Sequence, residues 1–199
     1  GRLQPRYQRD EFHDMKGLPA ARYDVMPRKK YRVPFLPVQT SRGCPFACSY
    51  CEVSHVYGRR YRLRPIDEVI EEIRASGLKK VQFVDDNFTA RRGYAIELME
   101  KLIPLNLQWT CLWPVKDSTD EALVDLAKRS GCYHINMGLE SINPANLEQM
   151  HKGQNRLHEY EIALDLLNRK KLFYSLNFIF GWDEDTESNF KGTLEFLEE

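Results

Sequence analysis

The most constraining feature of this sequence is a group of three cysteines within eight residues, Cys44, Cys48 and Cys51. The spacing C-x-x-x-C-x-x-C brings three thiolates together, and soft thiolate ligands select zinc, copper(I) or iron–sulfur clusters. A structural zinc site needs four protein ligands, and the next candidates along the chain are His55 and the distant Cys111. The spacing therefore indicates a metal centre with one position left open, and a zinc loop or a surface thiol group stands as the alternative.

Composition is that of an ordinary globular protein. The 199 residues are 42% hydrophobic and 29% charged, which is enough for one sizeable core, and the formal net charge is zero. No apolar run approaches the roughly 18 residues of a transmembrane helix, and the first residues do not have the pattern of a signal peptide. The odd number of clustered cysteines argues against a secreted disulfide framework. These features predict a cytoplasmic protein without a clear nucleic-acid or membrane signal.

One local basic patch, residues 58–64, departs from this neutral balance. Its arginines alternate with aromatic and aliphatic residues. Such a patch contacts phosphates in some proteins and in others is a solvated loop whose arginines pair with nearby carboxylates. The sequence leaves both interpretations open.

From residue 35 onward, strand and helix patterns alternate, which is typical of consecutive β-α units around a parallel sheet. The predicted strands are 35–40, 80–86, 107–113, 132–138 and 172–180. The predicted helices run from Ile66 to Gly77, over 92–103, over 119–130 with Ser118 and Glu121 as a capping box, from Leu157 to Leu167, and from Phe190 to Leu197. Residues 1–34, punctuated by Pro5, Pro19, Pro27 and Pro34, are predicted to form an irregular connector that folds against another part of the protein.

Strand parity separates an apolar face from a polar face, because successive side chains of a strand point to opposite sides of the sheet. The residues of the apolar face, predicted to pack against the helices, include Leu36, Val38, Val81, Phe83, Trp109, Cys111, Ile135 and Met137. The residues of the polar face include Gln82, Asp86, Thr110, His134, Asn136, Ser175 and Asn177. A closed eight-stranded barrel fills its interior with branched apolar residues. The polar face thus predicts an open lumen that holds a ligand, unless its buried amides satisfy one another.

The cysteine motif, with an aromatic residue before its third cysteine and β-α units after it, resembles the radical S-adenosylmethionine (SAM) superfamily, most of all its cobalamin-dependent type. The resemblance implies an α/β fold, a partial TIM-type barrel of six β-α units, of which five are countable here. It implies that Cys44, Cys48 and Cys51 hold three irons of a [4Fe–4S] cluster, while SAM chelates the fourth. The reduced cluster then cleaves SAM to methionine and a 5′-deoxyadenosyl radical, and the protein orients and shields this chemistry.

The segment Val84-Asp85-Asp86-Asn87-Phe88 follows the second predicted strand, where the family usually has a Gly-Gly-Glu-like element that contacts the SAM amino group. This chain departs from the pattern by using acidic residues. Parity turns Asp86 inward and Asp85 outward, so Asp85 is expected to contribute its backbone carbonyl. Alternatively, the two carboxylates bind a metal or cap the next helix.

Two further strand ends resemble SAM-binding elements of the family. Gly138-Leu139-Glu140-Ser141 matches an element that bonds the ribose or methionine part of SAM, and Asn177-Phe178-Ile179-Phe180-Gly181 matches an adenine element whose first glycine is replaced. The SAM contacts implied by the resemblance are Tyr50, Asp85, Asp86, Glu140, Ser141, Asn177, Ile179 and Gly181. Lys152 is a minor candidate for a SAM carboxylate and is otherwise solvated.

The remaining chemical side chains are predicted to be structural. Cys111 faces the helices and Cys132 opens its strand at the end opposite the chemistry, so both are expected to behave as small hydrophobic residues. His134 is expected to be a satisfied core histidine. His55 is a candidate for substrate contact, with a solvated loop histidine as the alternative.

The resemblance implies a transferase or oxidoreductase that transfers methyl groups or otherwise functionalises C–H bonds, with cobalamin held mainly by a domain absent from this chain. The alternatives are a cobalamin-independent radical SAM enzyme, such as a methylthiotransferase or oxidoreductase, and a metal-binding module without SAM turnover. The implied partners are a small-molecule or lipid-like substrate and an electron donor such as flavodoxin or ferredoxin. Because a sixth β-α unit is missing, residues 35–199 are expected to be an incomplete catalytic barrel and the chain a fragment of a longer protein.

Overall fold

The computed structural model describes Leu3, Arg6, residues 11–25 and residues 35–198. Its strands are β1 (Leu36–Val38), β2 (Ser41–Arg42), β3 (Arg62–Leu63), β4 (Lys80–Phe83), β5 (Gln108–Leu112), β6 (Cys132–Glu140) and β7 (Phe173–Phe178). Five of them form one sheet in the order β1-β4-β5-β6-β7, and every pairing in it is parallel. The predicted five-stranded parallel sheet is therefore confirmed. The short antiparallel pair of β2 and β3 was not predicted.

Each strand of the sheet is followed by at least one helix. The helices are α1 (Glu52–Tyr57), α2 (Ile66–Ser76), α3 (Arg92–Leu102), α4 (Glu121–Arg129), α5 (Pro144–Gln149), α6 (Leu157–Lys170) and α7 (Glu187–Glu198). Short 3-10 turns precede β5 and α4, at Ile103–Leu105 and Val115–Thr119. Among the helices of the described ranges, none has both the length and the apolar content needed to cross a membrane.

The predicted start of α4 is wrong. Asp120, not Ser118, is its N-cap, and the Asp120 carboxylate accepts a hydrogen bond from the backbone N–H of Leu123. Ser118 lies in the preceding 3-10 turn, where its buried hydroxyl accepts a bond from Trp113 Nε1 at 2.8 Å. The turn occupies the residues that a capping box would have used, so the helix begins later than its pattern predicts.

The predicted apolar face forms the centre of the core. The side chains that are at most 4% exposed on that face are Leu36, Val38, Val81, Phe83, Trp109, Cys111, Ile135 and Met137. Buried aliphatic residues of α2, α3, α4 and α6 complete the same cluster. Because the apolar face packs against the helices, the polar face of the sheet faces the lumen, as the parity predicts.

Residues 11–25, the described part of the predicted connector, pack against the barrel. Met15 is 1% exposed, and the backbone N–H of Gly17 donates to both carboxylate oxygens of Glu68 at 3.0 and 3.1 Å. Tyr23 Oη donates to the carbonyl of Pro37 at the edge strand β1. The prediction that this segment folds against another part of the protein is confirmed for these residues, while Pro5, Pro27 and Pro34 lie outside the described ranges.

The basic patch is used in packing. The Arg62 guanidinium lies 4.7 Å from the centre of the Phe12 ring and donates to the carbonyl of His13 at 2.8 Å. Arg64 is buried and forms an ion pair with Glu72 at 2.6 Å. The patch thus joins the connector to the barrel. Of the two interpretations that the sequence left open, phosphate contact and pairing with carboxylates, the structure shows the pairing at Arg64, which is buried and not solvated.

Candidate functional site

A cavity of about 250 Å³ lies at the carboxyl ends of the sheet strands, next to the segment that joins β2 to α1. We refer to this segment, residues 43–51, as the cysteine loop. The predicted site residues that line the cavity are Cys44, Cys48, Cys51, Tyr50, Asp86, Glu140 and Asn177. Other lining residues are Phe46, Asn87, Leu112, Lys152 and Gln154. The fold thus brings three thiols and two carboxylates to the end of the sheet where parallel barrels carry their functional residues.

The loop after β4 holds the chain where it enters the cysteine loop. The Asp85 carboxylate accepts bonds from the backbone N–H groups of Thr40 and Ser41 and from both hydroxyls. Asp86 Oδ2 accepts a bond from the backbone N–H of Gly43 at 3.1 Å. Consecutive aspartates therefore fix consecutive parts of the backbone immediately before Cys44.

Asp85 and Asp86 differ in their surroundings. Asp85 is 3% exposed, and burial, which outweighs its hydrogen bonds, raises the pKa of its carboxyl to about 6. Its side chain is turned away from the cavity, as parity predicts, so the predicted SAM contact concerns its backbone carbonyl alone. Asp86 faces the cavity. The next residue, Asn87, places Nδ2 3.9 Å from Cys44 Sγ and was given no role by the sequence.

Glu140 is held in an unusual backbone conformation at the end of β6. Its φ is +69°, a region that non-glycine residues rarely adopt, and the pairing of β6 with β7 shifts register at this point. Its carboxylate lies over Gly138, where a Cβ would come within 2.0 Å of Oε1. Glycine at 138 is therefore what allows the Glu140 carboxylate to reach the cavity. Such strain is concentrated at functional sites.

Lys152 joins Glu140 to the cysteine loop. Its Nζ lies 2.7 Å from Glu140 Oε1 and 3.1 Å from Tyr50 Oη. The ion pair is largely buried, with side chains 14% and 9% exposed. Burial, and next the negative charge of Glu140, raise the pKa of Tyr50, so its hydroxyl stays protonated. Lys152 was a minor candidate in the sequence and is central to the geometry.

The Radical SAM superfamily profile matches residues 38–197. The chain belongs to this superfamily. A bacteriochlorophyllide d C-12(1)-methyltransferase of Chlorobaculum tepidum is 39% identical over 175 residues, which cover 85% of this chain and 38% of the relative. An uncharacterised methyltransferase of Pyrococcus horikoshii is 31% identical over 208 residues, covering 98% of this chain and 44% of the relative. The chain thus spans less than half the length of these two relatives.

Solved structures of radical SAM proteins share the fold. The methyltransferase TsrM of Kitasatospora setae, a structure with cobalamin and a [4Fe–4S] cluster bound, superposes with a TM-score of 0.74 at 20% identity, covering 82% of this chain and 32% of that one. Coproporphyrinogen III oxidase of Escherichia coli gives a TM-score of 0.58 at 16% identity, covering 83% of this chain and 42% of that one. The partial-barrel fold predicted for this chain is confirmed.

The residues present fit the cofactors of the radical SAM superfamily, a [4Fe–4S] cluster and SAM. Three free thiols line one cavity, and thiolates are the ligands that hold such clusters. Within the described ranges, no three His, Cys, Asp or Glu side chains are arranged to hold a single metal ion. The cavity offers three cysteine sulfurs to a cluster and the carboxylate oxygens of Asp86 and Glu140 to the charged groups of SAM.

Besides Asp85, three predicted SAM contacts do not line the cavity. Ser141 Oγ accepts a bond from the backbone N–H of Asn143 at 3.0 Å, in the turn before α5. The backbone N–H of Ile179 donates to the carbonyl of Glu140 at 2.8 Å. Gly181, with φ +98°, donates its N–H to Asp185 Oδ2 at 2.7 Å. Their contacts with SAM stay predictions.

The side chains that the sequence predicted to be structural lie away from the thiols of the cavity. Cys111 and Cys132 are each 4% exposed, and the Cys132 thiol donates to the backbone carbonyl of His134 at 3.7 Å. His134 Nε2 lies 2.6 Å from Ser175 Oγ, and burial lowers its pKa, so the ring is neutral. His55 is exposed on α1.

Proposed function

We propose that this chain is the catalytic barrel of a radical SAM enzyme, in which Cys44, Cys48 and Cys51 ligate a [4Fe–4S] cluster. The single observation that carries the proposal is that the three thiols share one cavity with Asp86 and Glu140. The bound cluster supplies the electron that cleaves SAM to methionine and a 5′-deoxyadenosyl radical. In this assignment residues 35–199 are the catalytic part and residues 1–34 connect it to the rest of the protein.

The remaining polar residues of the cavity bind and orient SAM. Asp86 offers a carboxylate oxygen to the amino group, and Glu140 accepts hydrogen bonds from the ribose or methionine part. Lys152 pairs with Glu140 in its largely buried position, and the paired cation compensates for hydration that the carboxylate loses. Tyr50, anchored by Lys152, provides an aromatic surface beside the adenine.

Methyl transfer is the reaction class that the relatives support, since both relatives above are named as methyltransferases. A cobalamin-associated reaction is supported by the TsrM structure, in which cobalamin and a [4Fe–4S] cluster are bound. We assign the binding of cobalamin mainly to parts of the protein outside this chain. The substrate is a small or lipid-like molecule, and the electron comes from a flavodoxin or ferredoxin. The free thiols of the cavity suit a reducing cytoplasm.

The SAM site is tested by electron paramagnetic resonance of the reduced, reconstituted protein. Saturating SAM is expected to change the spectrum, because an open iron gains nitrogen and oxygen ligands. Asp86→Asn and Glu140→Gln each remove a charged acceptor worth about 1.5–3 kcal/mol. The SAM concentration for half of the change should then rise about tenfold or more, with iron content unchanged.

Glu97→Gln is the control, since Glu97 lies on the surface of α3 and pairs with Lys101. It should leave the SAM response as in the unaltered protein. A spectrum that saturating SAM does not change would contradict the proposal. Equal responses in all three variants would remove Asp86 and Glu140 from the SAM site.

A further inference from the structure

The segment of residues 149–154 begins at the last residue of α5 and leads toward α6. It contacts the second half of the cysteine loop. The backbone N–H of Ser49 donates to the carbonyl of Met150 at 3.0 Å. The Ser49 hydroxyl donates to the carbonyl of Gln149, also at 3.0 Å. The two segments are about 100 residues apart in sequence, so the fold alone brings them together.

Two side chains of the same segment extend this contact to the neighbours of Ser49. Lys152 donates to Tyr50 Oη, and Gln154 Nε2 lies 3.5 Å from Cys48 Sγ. Cys48 is 8% exposed, and Gln154 lines the cavity. The segment therefore fixes residues 48, 49 and 50 in turn, and through Gln154 it bonds one of the thiols directly.

We propose that Gln154 is a positioning residue that raises the reduction potential of the cluster through its hydrogen bond to Cys48. This proposal rests on the proposed ligation of the cluster by Cys48. Hydrogen bonds to cluster sulfurs are among the factors that set the potential of an iron–sulfur cluster. An N–H donor stabilises the sulfur more when an added electron makes the cluster more negative. Because the carbonyls of Gln149 and Met150 anchor the adjacent Ser49, the amide of Gln154 is held at a fixed distance from the sulfur.

The test is a redox titration of the reconstituted protein without SAM, followed by the paramagnetic resonance signal of the reduced cluster. Gln154→Leu keeps the size of the side chain and removes the donor. The ratio of reduced to oxidised cluster at the midpoint of the unaltered protein should fall about tenfold, which corresponds to about 59 mV for a one-electron couple. Gln154→Glu, which replaces the amide by a carboxylate, should lower the ratio further.

Gln149→Leu is the matched control, because Gln149 lies in the same segment and contacts the cysteine loop through its backbone carbonyl. Its potential should equal that of the unaltered protein. Equal potentials for Gln154→Leu and Gln149→Leu, with full iron content, would overturn this inference and leave the cluster assignment intact. An unaltered protein that takes up no iron would overturn both.

Discussion

Replacing Cys44, Cys48 or Cys51 by Ala is expected to remove the cluster, whereas replacing Cys111 or Cys132 is not. Anaerobic reconstitution of the unaltered protein should give about four iron and four sulfide per chain. Each of the first three thiols lines the cavity, and the other two are free thiols buried in the core. Loss of any one cavity thiol removes a third of the protein's ligands to the cluster, so iron should fall to near zero.

The measurement is iron, sulfide and zinc content of each variant after the same reconstitution. Cys111→Ala is the sharpest control, since it removes a buried cysteine on β5 that does not line the cavity. Stoichiometric zinc in the unaltered protein, or loss of iron with Cys111→Ala, would contradict the assignment of the ligands.

Gly43→Ala is expected to destabilise the protein and to empty the cluster site. Gly43 has φ +89°, and an added Cβ would lie 2.2 Å from the carbonyl oxygen of Arg60. The left-handed conformation costs about 1–2 kcal/mol for alanine, and overpacking against a neighbour costs about 1–3 kcal/mol more. Because Gly43 precedes Cys44 and is bonded to Asp86, the backbone shift that relieves the clash moves the first cysteine.

Gly131→Ala provides a control of equal strain. Gly131 has φ +99°, and its Cβ would lie 1.9 Å from the carbonyl oxygen of Leu107, at the opposite end of the barrel. Both variants should unfold at lower denaturant concentration than the unaltered protein. Iron per folded chain should fall in Gly43→Ala only, and an equal loss in both variants would show that the cysteine loop is not placed by Gly43.

Strand parity predicted the sheet well because it depends only on a local period of two residues. Val81, Phe83 and Trp109 face the helices as their alternation requires. Positions of the polar face that line the cavity, Gly138 and Asn177 among them, follow from the same period. The rule that functional residues gather at strand carboxyl ends then located the site.

The alternation of side chains also predicted too long a strand for β4, residues 80–86. The strand ends at Phe83, so residues 84–87 belong to a loop whose conformation is set by its partners. The partners of Asp85 are Thr40 and Ser41, more than forty positions earlier. A carboxylate that holds a distant backbone has no local pattern. The sequence therefore presented Asp85 as a cofactor contact, with a metal site or a helix cap as alternatives, and not as a support for the cysteine loop.

Gln154 was not found from the sequence, and Lys152 was only a minor candidate, for a related reason. They lie between two helices, in a segment without strand or helix periodicity, and their contacts reach residues more than a hundred positions earlier or the end of another strand. Asn87 was also given no role, although it directly follows Asp86 in the loop after β4. The sequence signal that could have identified Asn87 is its position directly after Asp86, not its residue type.

The central claim is that three cysteines hold three irons and leave the fourth for SAM, and Mössbauer spectroscopy of protein reconstituted with iron-57 tests it most directly. Spectra of the oxidised cluster are compared with and without SAM. We predict that SAM shifts about a quarter of the iron signal, one site of four, while the remaining three sites keep the parameters of thiolate-ligated iron. Four sites that stay equivalent at saturating SAM would contradict the account.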